Sequence, residues 1–278
     1  MARQRLGQHF LTDAGWREKI ARAIGVSRNS SNFSVPGEAK DFCWIEIGAG
    51  HGEMTQYLVA TGQPVIAVEL DPPLARRLGE MAGLVSNLTV HHQDVLKTDL
   101  RALAAGRRVC IYGNLPYYIT SPILHHFFEF ADLIEEIHIV IQLEVAFRLV
   151  ARPGTRDYGY LSVLTQYFSR PTIALKIPRG AFRPPPKVGS ALVSLRLPGV
   201  KSEMQISNEE KFLEFVKRCF AQKRKTLANN LREISEPEAT KRALATLGVA
   251  HGARAEELGV KQLGGLFSRM VSATDERN

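Results

Sequence analysis

Four consecutive residues, Asn114, Leu115, Pro116 and Tyr117, offer the most specific chemistry in the chain. They follow a short apolar run at 108–112, which predicts a buried strand, and they precede a helical pattern. The amide oxygen and a nearby backbone carbonyl can accept both N–H bonds of a planar exocyclic amine, while the ring stacks on the base. This favours chemistry on a nucleobase amino group, most naturally adenine N6. A plain strand-to-helix turn, in which Asn and Pro are common, is the alternative.

The segments around this tetrapeptide alternate between strand and helix. After a helix at 14–24, strands are predicted near 43–47, 64–69, 88–92, 108–112 and 136–141, with helical patterns near 52–61, 72–82, 119–130 and 143–150. Such alternation predicts right-handed crossovers and a parallel sheet. Two more strands, 172–178 and 190–197, leave no room for a long helix between them. We expect them to form an antiparallel pair at the sheet edge, joined by the Pro-rich loop 182–187.

The chain changes character after Pro198. Helical periodicity recurs at 207–221, 223–233, 238–247 and 261–271, and a capping box at 207–210 begins the first of these helices. The pattern predicts two domains, an α/β domain at 1–199 and a small all-helical domain at 200–278. The segment 27–40, rich in Ser, Asn, Gly and Pro, is expected to be a flexible surface insertion in the first domain.

Three glycines at the end of the first strand of the alternating region predict a cofactor site. Gly48, Gly50 and Gly52 let the backbone turn tightly and approach a ligand closely. The dinucleotide fingerprint G-x-G-x-x-G fails, because Glu53 stands at its sixth position and would repel a pyrophosphate. A cofactor without phosphates, such as S-adenosylmethionine, fits better, and a nicotinamide oxidoreductase is disfavoured.

Two acidic residues support this site. Glu69 ends the second strand, 21 positions after Gly48, where a carboxylate can accept both ribose hydroxyls. Asp94 ends the third strand and can accept the adenine amine of the cofactor. Open parallel sheets bind ligands at the carboxyl ends of their strands, so we expect these groups to converge. Acidic caps that begin three surface helices are the alternative.

Composition favours a soluble protein with an anionic partner. The 278-residue chain has a formal net charge of +8 and a pI near 9.5, and nucleic acid is the commonest partner of so basic a protein. Three widely spaced cysteines predict buried thiols in a reducing compartment. No apolar leader and no membrane-length run are present, so a cytoplasmic protein is expected. The histidines show no metal-ligand spacing, and no metal is expected.

Two basic clusters are predicted to contact RNA phosphates. Lys223, Arg224 and Lys225 lie in the helical domain, and Arg3 and Arg5 lie near the start of the chain. An ordinary solvated helix face and a frayed terminus are the respective alternatives.

Eight motifs carry a resemblance to a known family over nearly the whole chain. They read LGQHFL at 6–11, EIGAG at 46–50, ELD at 69–71, QD at 93–94, GNLPY at 113–117, YGYLSV at 158–163, FRPPPKVGS at 182–190 and FAQKRKTL at 220–227. Together they resemble the ribosomal RNA adenine N6,N6-dimethyltransferases, in particular the small-subunit branch whose loss gives kasugamycin resistance.

The resemblance implies a Rossmann-like class I methyltransferase sheet of seven strands, the last antiparallel. It also implies successive methylation of two adjacent adenosines near the 3′ end of small-subunit (16S) rRNA in a 30S assembly particle, and a monomer is expected. The cofactor contacts it implies are His9, Leu11, Gly48, Gly50, Glu69, Asp94 and Asn114. His9 stands where the family commonly has Asn, so its contact with a cofactor carboxylate is expected to depend on pH.

The expected mechanism needs no general base before attack, because the amine can lose its proton after methyl transfer. Asn114 and the carbonyl of Leu115 or Pro116 are expected to accept the N–H bonds of adenine N6. Tyr117, together with Phe182 from the Pro-rich loop, is expected to clamp the base and stabilise the positive charge that grows on N6.

Three alternatives remain open from the residues. A large-subunit rRNA adenine methyltransferase of the macrolide-resistance type shares the fold and site. A DNA adenine methyltransferase more typically has Pro at the position of Leu115. A non-catalytic RNA-binding factor for ribosome assembly or transcription is disfavoured because Glu69, Asp94 and Asn114 are all present.

Overall fold

A computed structural model describes residues 9–26 and 41–275 of the chain. Arg3, Arg5 and the insertion predicted at 27–40 lie outside the described residues. Within the described ranges, no helix is both long enough and apolar enough to cross a lipid bilayer.

The described part of the chain contains a large sheet and a small two-stranded ribbon. The strands are β1 Phe10–Leu11, β2 Phe42–Ile47, β3 Val65–Glu69, β4 Leu88–His92, β5 Arg108–Asn114, β6 Ile134–Gln142, β7 Arg170–Ile177, β8 Phe182–Arg183 and β9 Ser190–Arg196. The large sheet has the order β4-β3-β2-β5-β6-β9-β7. Pairing is parallel from β4 to β6, whereas β9 pairs antiparallel with β6. The predicted Rossmann-like sheet with an antiparallel last strand is thus confirmed.

The register of the central strands aligns their carboxyl ends. Ile47 on β2 is level with Val68 on β3 and with Gly113 on β5, and Glu69 is level with His92 on β4. All six residues of β2 are buried, as expected for a central parallel strand covered on both faces. The residues that follow these strands therefore emerge along one edge of the sheet.

Helices follow most of the strands. They are α1 Ala14–Ala23, α2 Thr55–Val59, α3 Pro72–Ala82, α4 Leu100–Ala104, α5 Thr120–Glu129, α6 Leu143–Val150, α7 Tyr160–Phe168, α8 Glu209–Cys219, α9 Leu227–Asn230, α10 Pro237–Ala245 and α11 Val260–Asp275. Aspartates begin several of them: Asp71 accepts the Leu74 N–H at the start of α3, and Asp99 accepts the Arg101 N–H at the start of α4.

Contacts divide the chain into two compact units. The first comprises Met1–Ala146 and Pro171–Leu197, and the second comprises Phe147–Arg170 and Pro198–Asn278. The boundary predicted at 199/200 differs from this division by one segment, which includes α7. The physical reason lies in the core of the second unit, where the Tyr167 ring of α7 packs 5.1 Å from the Phe212 ring of α8.

The sequence interpretation of the second unit needs three corrections. Helix α7 was not predicted. Helix α8 is capped by Asn208, which accepts the Lys211 N–H at 2.9 Å, so it begins one residue later than a capping box on Ser207 requires. The helix predicted at 223–233 is a turn followed by the four-residue α9. The Asn230 side chain donates to the Cys219 carbonyl, which holds α9 against the end of α8.

Candidate active site

A cavity opens at the carboxyl edge of the sheet, within the first unit. It has an empty volume of about 840 Å³, part of which is open to solvent. Its walls come from the arm at 9–10, the glycine loop after β2, and the ends of β3, β4 and β5. The sheet topology therefore brings together groups that lie far apart in the sequence.

The glycine loop depends on backbone conformations that other residues rarely adopt. Gly48 and Gly50 have φ angles of +65° and +61°. The Gly48 N–H donates to the Val68 carbonyl at 2.8 Å, which fixes the loop to the end of β3. A Cβ at Gly50 would lie 3.4 Å from the Phe10 ring, so the loop also packs closely against the arm.

Glu69 is held rigidly at the end of β3. The residue is only 2% exposed, yet it lines the cavity. Its Oε2 accepts the Gly50 N–H at 2.9 Å, and its Oε1 accepts the Asp71 N–H at 2.9 Å. Each carboxylate oxygen can accept more than one hydrogen bond, so both oxygens retain capacity for ligand hydroxyls.

Asp94 also lines the cavity, two residues after the end of β4. Its Oδ1 accepts the Leu96 N–H at 3.0 Å and so begins a short 3-10 turn. A carboxylate has a second oxygen, which can accept from a ligand amine. Glu69 and Asp94 thus line the same cavity, as a cofactor site requires. Asp94 also caps a short 3-10 turn, which is the role that the alternative of acidic caps gave it.

The Asn114 side chain is oriented by the arm. Its Nδ2 donates to the His9 backbone carbonyl at 2.9 Å. A carbonyl can only accept, so this bond identifies the nitrogen end of the amide and leaves Oδ1 as an acceptor. The Pro116 carbonyl already accepts the Ile119 N–H at 3.2 Å, which makes the Leu115 carbonyl the better second acceptor for an amine.

Tyr117 is fixed at both its hydroxyl and its ring. The hydroxyl shares a 2.8 Å hydrogen bond with Ser190 Oγ, and the ring stacks on the His9 imidazole with centroids 5.5 Å apart. Burial raises the pKa of Tyr117 above its ordinary value, although the Ser190 hydrogen bond opposes this effect. Tyr117 is therefore a neutral phenol at physiological pH.

Two predicted site residues do not line the cavity. Leu11 on β1 pairs with Phe182 on β8, and the two residues are 5% and 0% exposed. Both side chains belong to the hydrophobic core on one face of the sheet. The Phe182 ring therefore offers no face to a base in this structure, and the second aromatic wall predicted there is corrected to a core residue that supports the arm.

Several residues that line the cavity were absent from the predicted site, among them Phe10, Leu70 and Tyr118. Leu70 is 47% exposed and Tyr118 is 65% exposed, so both present apolar surface to a ligand or to solvent. Their adjacency to Glu69 and Tyr117 was the only signal available in the sequence.

A protonated carboxyl lies behind the glycine loop. Glu46 is 2% exposed, and the Thr55 hydroxyl donates to its Oε2 at 2.6 Å. Burial, with smaller contributions from Glu53 and Glu69, raises the pKa of Glu46 to about 8, although the Thr55 hydrogen bond opposes the shift. Glu46 is thus mostly neutral at pH 7, which limits the negative charge beside Glu69.

The predicted basic cluster lies in the second unit. Lys223, Arg224 and Lys225 are exposed and form part of the turn between α8 and α9. Lys223 Nζ donates to the Arg156 carbonyl at 2.6 Å, so this ammonium is held by the protein.

The polar groups that line the cavity fit S-adenosylmethionine. Its lining residues include two carboxylates, Glu69 and Asp94, and no Lys or Arg. A pyrophosphate would meet like charges here, whereas a cofactor with ribose hydroxyls, an adenine amine and a cationic sulfonium meets acceptors of opposite charge. Elsewhere in the described ranges, no group of three or more His, Cys, Asp or Glu side chains is placed to hold a metal ion.

Comparisons with known proteins agree with this site. The model of the ribosomal RNA adenine dimethylase family matches residues 1–271. The ribosomal RNA small subunit methyltransferase A of Acidobacterium capsulatum is 41% identical over 265 residues, which covers 95% of this chain and 89% of the relative. The protein of the same name from Shewanella oneidensis is 36% identical over 262 residues, covering 94% and 91% respectively.

Solved structures share the fold over nearly the same length. A dimethyladenosine transferase from Plasmodium falciparum has a TM-score of 0.75 at 22% identity, covering 96% of this chain and 98% of that one. The 23S rRNA methyltransferase ErmE has a TM-score of 0.67 at 27% identity, covering 94% and 99%. Given the match of the family model to almost the entire sequence, the chain belongs to the ribosomal RNA adenine dimethylase family and is an S-adenosylmethionine-dependent rRNA methyltransferase.

Proposed function

We propose that the chain dimethylates N6 of two adjacent adenosines near the 3′ end of small-subunit rRNA. Its substrate is a 30S assembly particle, and it acts as a monomer in the cytoplasm. The observation that carries the proposal is the orientation of Asn114, whose Nδ2 is bonded to the His9 carbonyl so that Oδ1 is left to accept from a substrate. The names of the small-subunit relatives favour 16S over 23S rRNA.

Asn114 and Leu115 hold the target amine in this mechanism. The lone pair of adenine N6 is delocalised into the ring, which makes the amine a poor nucleophile. When Asn114 Oδ1 and the Leu115 carbonyl each accept one N–H, the nitrogen can become pyramidal and direct its lone pair outward. Positioning of this kind can remove about 7–11 kcal/mol of the barrier.

Tyr117 supports the base from one side. One face of its ring is covered by the His9 imidazole, and the hydroxyl is tied to Ser190. The other face can stack on adenine and stabilise the positive charge that grows on N6, a contribution of roughly 1–2 kcal/mol in a desolvated site. Alignment by Asn114 therefore outweighs stacking in this mechanism.

The cofactor supplies an electrophilic methyl group when bound. We assign its ribose hydroxyls to Glu69 and its adenine amine to Asp94, with the backbone of Gly48 and Gly50 against it. His9 Nδ1 lies 2.8 Å from the Pro184 carbonyl, which requires the proton to be on Nδ1.

The second unit is the proposed RNA-binding domain. Arg224 and Lys225 are exposed on its surface and are available for phosphate contacts. Lys223 is already bonded to a backbone carbonyl, so its contribution is expected to be smaller. Arg3 and Arg5 are proposed to add contacts from the start of the chain.

Methyl transfer from labelled cofactor tests the proposed function. Under-methylated 30S particles and 50S particles are incubated separately with the chain, and the RNA is digested for nucleoside analysis. We expect dimethyladenosine only from small-subunit RNA, formed at least about 100-fold more slowly by Asn114→Ala. Recovery of the product only from large-subunit RNA, or of no methylated adenosine at all, would refute the proposal.

A further inference from the structure

Tyr118 is unusual among the residues that line the cavity. It is 65% exposed and lies beside the proposed amine-binding residues. Single exposed apolar residues are common on protein surfaces. An aromatic ring on the rim of a ligand cavity is different, because a partner that enters the cavity must pass it.

The neighbouring Tyr117 ring cannot stack on two bases at once. Tyr117 has one face against His9 and its hydroxyl on Ser190, so it has a single face for a base. Phe182, the second wall expected from the sequence, is wholly buried. Tyr118 is therefore the remaining aromatic residue of the segment 114–118 that RNA can reach.

Local backbone geometry determines which base Tyr118 can contact. Residues Tyr117–Ile119 form a 3-10 turn, in which successive side chains point about 120° apart. The Cα–Cβ bonds of Tyr117 and Tyr118 therefore point in different directions, which favours contacts with two different bases. The Ile119 N–H donates to the Pro116 carbonyl at 3.2 Å, so the turn holds the backbone of Tyr118 and fixes the direction of its Cα–Cβ bond.

We propose that Tyr118 stacks on the base of the nucleotide next to the target adenosine. This inference rests on the proposed function, because it requires a target base that has left its stack and entered the cavity. Its neighbour then loses a stacking partner at the cavity mouth, where Tyr118 supplies a replacement. Aromatic stacking is the usual way in which proteins hold unpaired RNA bases.

Such a contact would also influence which adenosine is methylated. The two proposed targets are adjacent, so the neighbour of each on one side is another adenine, a purine with a large stacking surface. Tyr118 would hold that purine while Asn114 holds the target amine. Loss of the ring should therefore weaken RNA binding and alter the ratio of products at the two positions.

The test compares the full chain with its Tyr118→Ala, Tyr118→Leu and Tyr118→Phe variants on under-methylated 30S particles. Leu84→Ala, at a residue 88% exposed, is the control for surface truncation. In Tyr118→Ala we expect the KM for particles to rise about 5- to 150-fold, as for the loss of one base–aromatic stack. Tyr118→Phe should match wild type, and the KM for the cofactor should stay unchanged throughout.

The leucine variant and the product positions make the result specific. Tyr118→Leu keeps an apolar side chain without a ring, so it should behave like Tyr118→Ala if stacking is the interaction that matters. It also replaces Tyr118→Ala in the test if the alanine variant does not fold. Position-resolved analysis should show a changed ratio of dimethyladenosine at the two sites. An unchanged KM for particles, an equal defect in Tyr118→Phe, or a rise in the cofactor KM alone would overturn the inference. Failure of the wild-type chain to dimethylate small-subunit RNA would refute the proposed function itself, a separate outcome.

Discussion

Glu46→Gln tests the electrostatics behind the glycine loop. Burial raises the pKa of Glu46 to about 8 from an ordinary value of 4.5. The folded chain therefore binds more protons than the unfolded chain at pH values between these two. It follows that this carboxyl's contribution to stability is fully present below about pH 4.5 and is lost as pH rises toward 8. Glutamine cannot ionise, and it keeps an oxygen to accept from Thr55.

The magnitude follows from linkage between the two pKa values. Between pH 5 and pH 7, the free energy of unfolding of wild type should fall by roughly 2–3 kcal/mol relative to that of Glu46→Gln. The prediction compares how the free energy of unfolding of each protein changes with pH. The contributions of titrating groups that both proteins contain therefore cancel. Above about pH 8 the two profiles should become parallel again.

Tryptophan fluorescence during urea unfolding suits this measurement. The chain has two tryptophans, Trp16 and Trp44, and both belong to the first unit, as does Glu46. The signal therefore reports unfolding of the unit that holds the substitution. Glu80→Gln, which removes an exposed carboxyl from α3, controls for the general loss of charge. Parallel profiles for wild type and Glu46→Gln between pH 5 and pH 7 would refute the inferred protonation of Glu46.

Three further predictions concern the site and the RNA surface. Asn114→Ala should lower kcat by about 100- to 1,000-fold or more with little change in the KM for particles, in steady-state methyl transfer; an equal loss of RNA affinity would assign Asn114 a structural role. Gly113→Ala should lower the free energy of unfolding by about 1–3 kcal/mol in urea titrations, because its Cβ would lie 3.1 Å from the Ile47 carbonyl; wild-type stability would contradict this. Arg224→Ala with Lys225→Ala should reduce the log–log salt slope of RNA binding by about 0.7–0.9 per lost phosphate contact, and an unchanged slope would exclude such contacts.

The strand-end residues could be predicted because their placement depends on simple topology. Glu69, Asp94 and Asn114 each follow an apolar run, and parallel strands bring their carboxyl ends to one edge. All three line the cavity. The apolar runs and the alignment of parallel strand ends were sufficient to predict their positions. Neither feature reveals that the Asn114 amide donates to the backbone of the arm.

Residues whose orientation depends on distant pairing could not be placed in this way. Whether Phe182 faces the cavity or the core is decided by its pairing with Leu11, which lies far away in the sequence. The helix Tyr160–Phe168 was missed for a related reason. Six of its nine residues are buried, so it lacks the polar face that makes helical periodicity visible.

The residue type at 114 follows from the two roles of its side chain in the proposed mechanism. The Nδ2 group donates to the His9 carbonyl, and Oδ1 is left to accept from the proposed target amine. An aspartate would place a carboxylate oxygen against that carbonyl, and an alanine would offer neither group. After the first methyl transfer, the amine has a single N–H left, so only one of Asn114 Oδ1 and the Leu115 carbonyl can still accept from it. The second transfer therefore depends more heavily on base stacking than the first, and loss of the aromatic contacts should leave an excess of monomethylated over dimethylated adenosine.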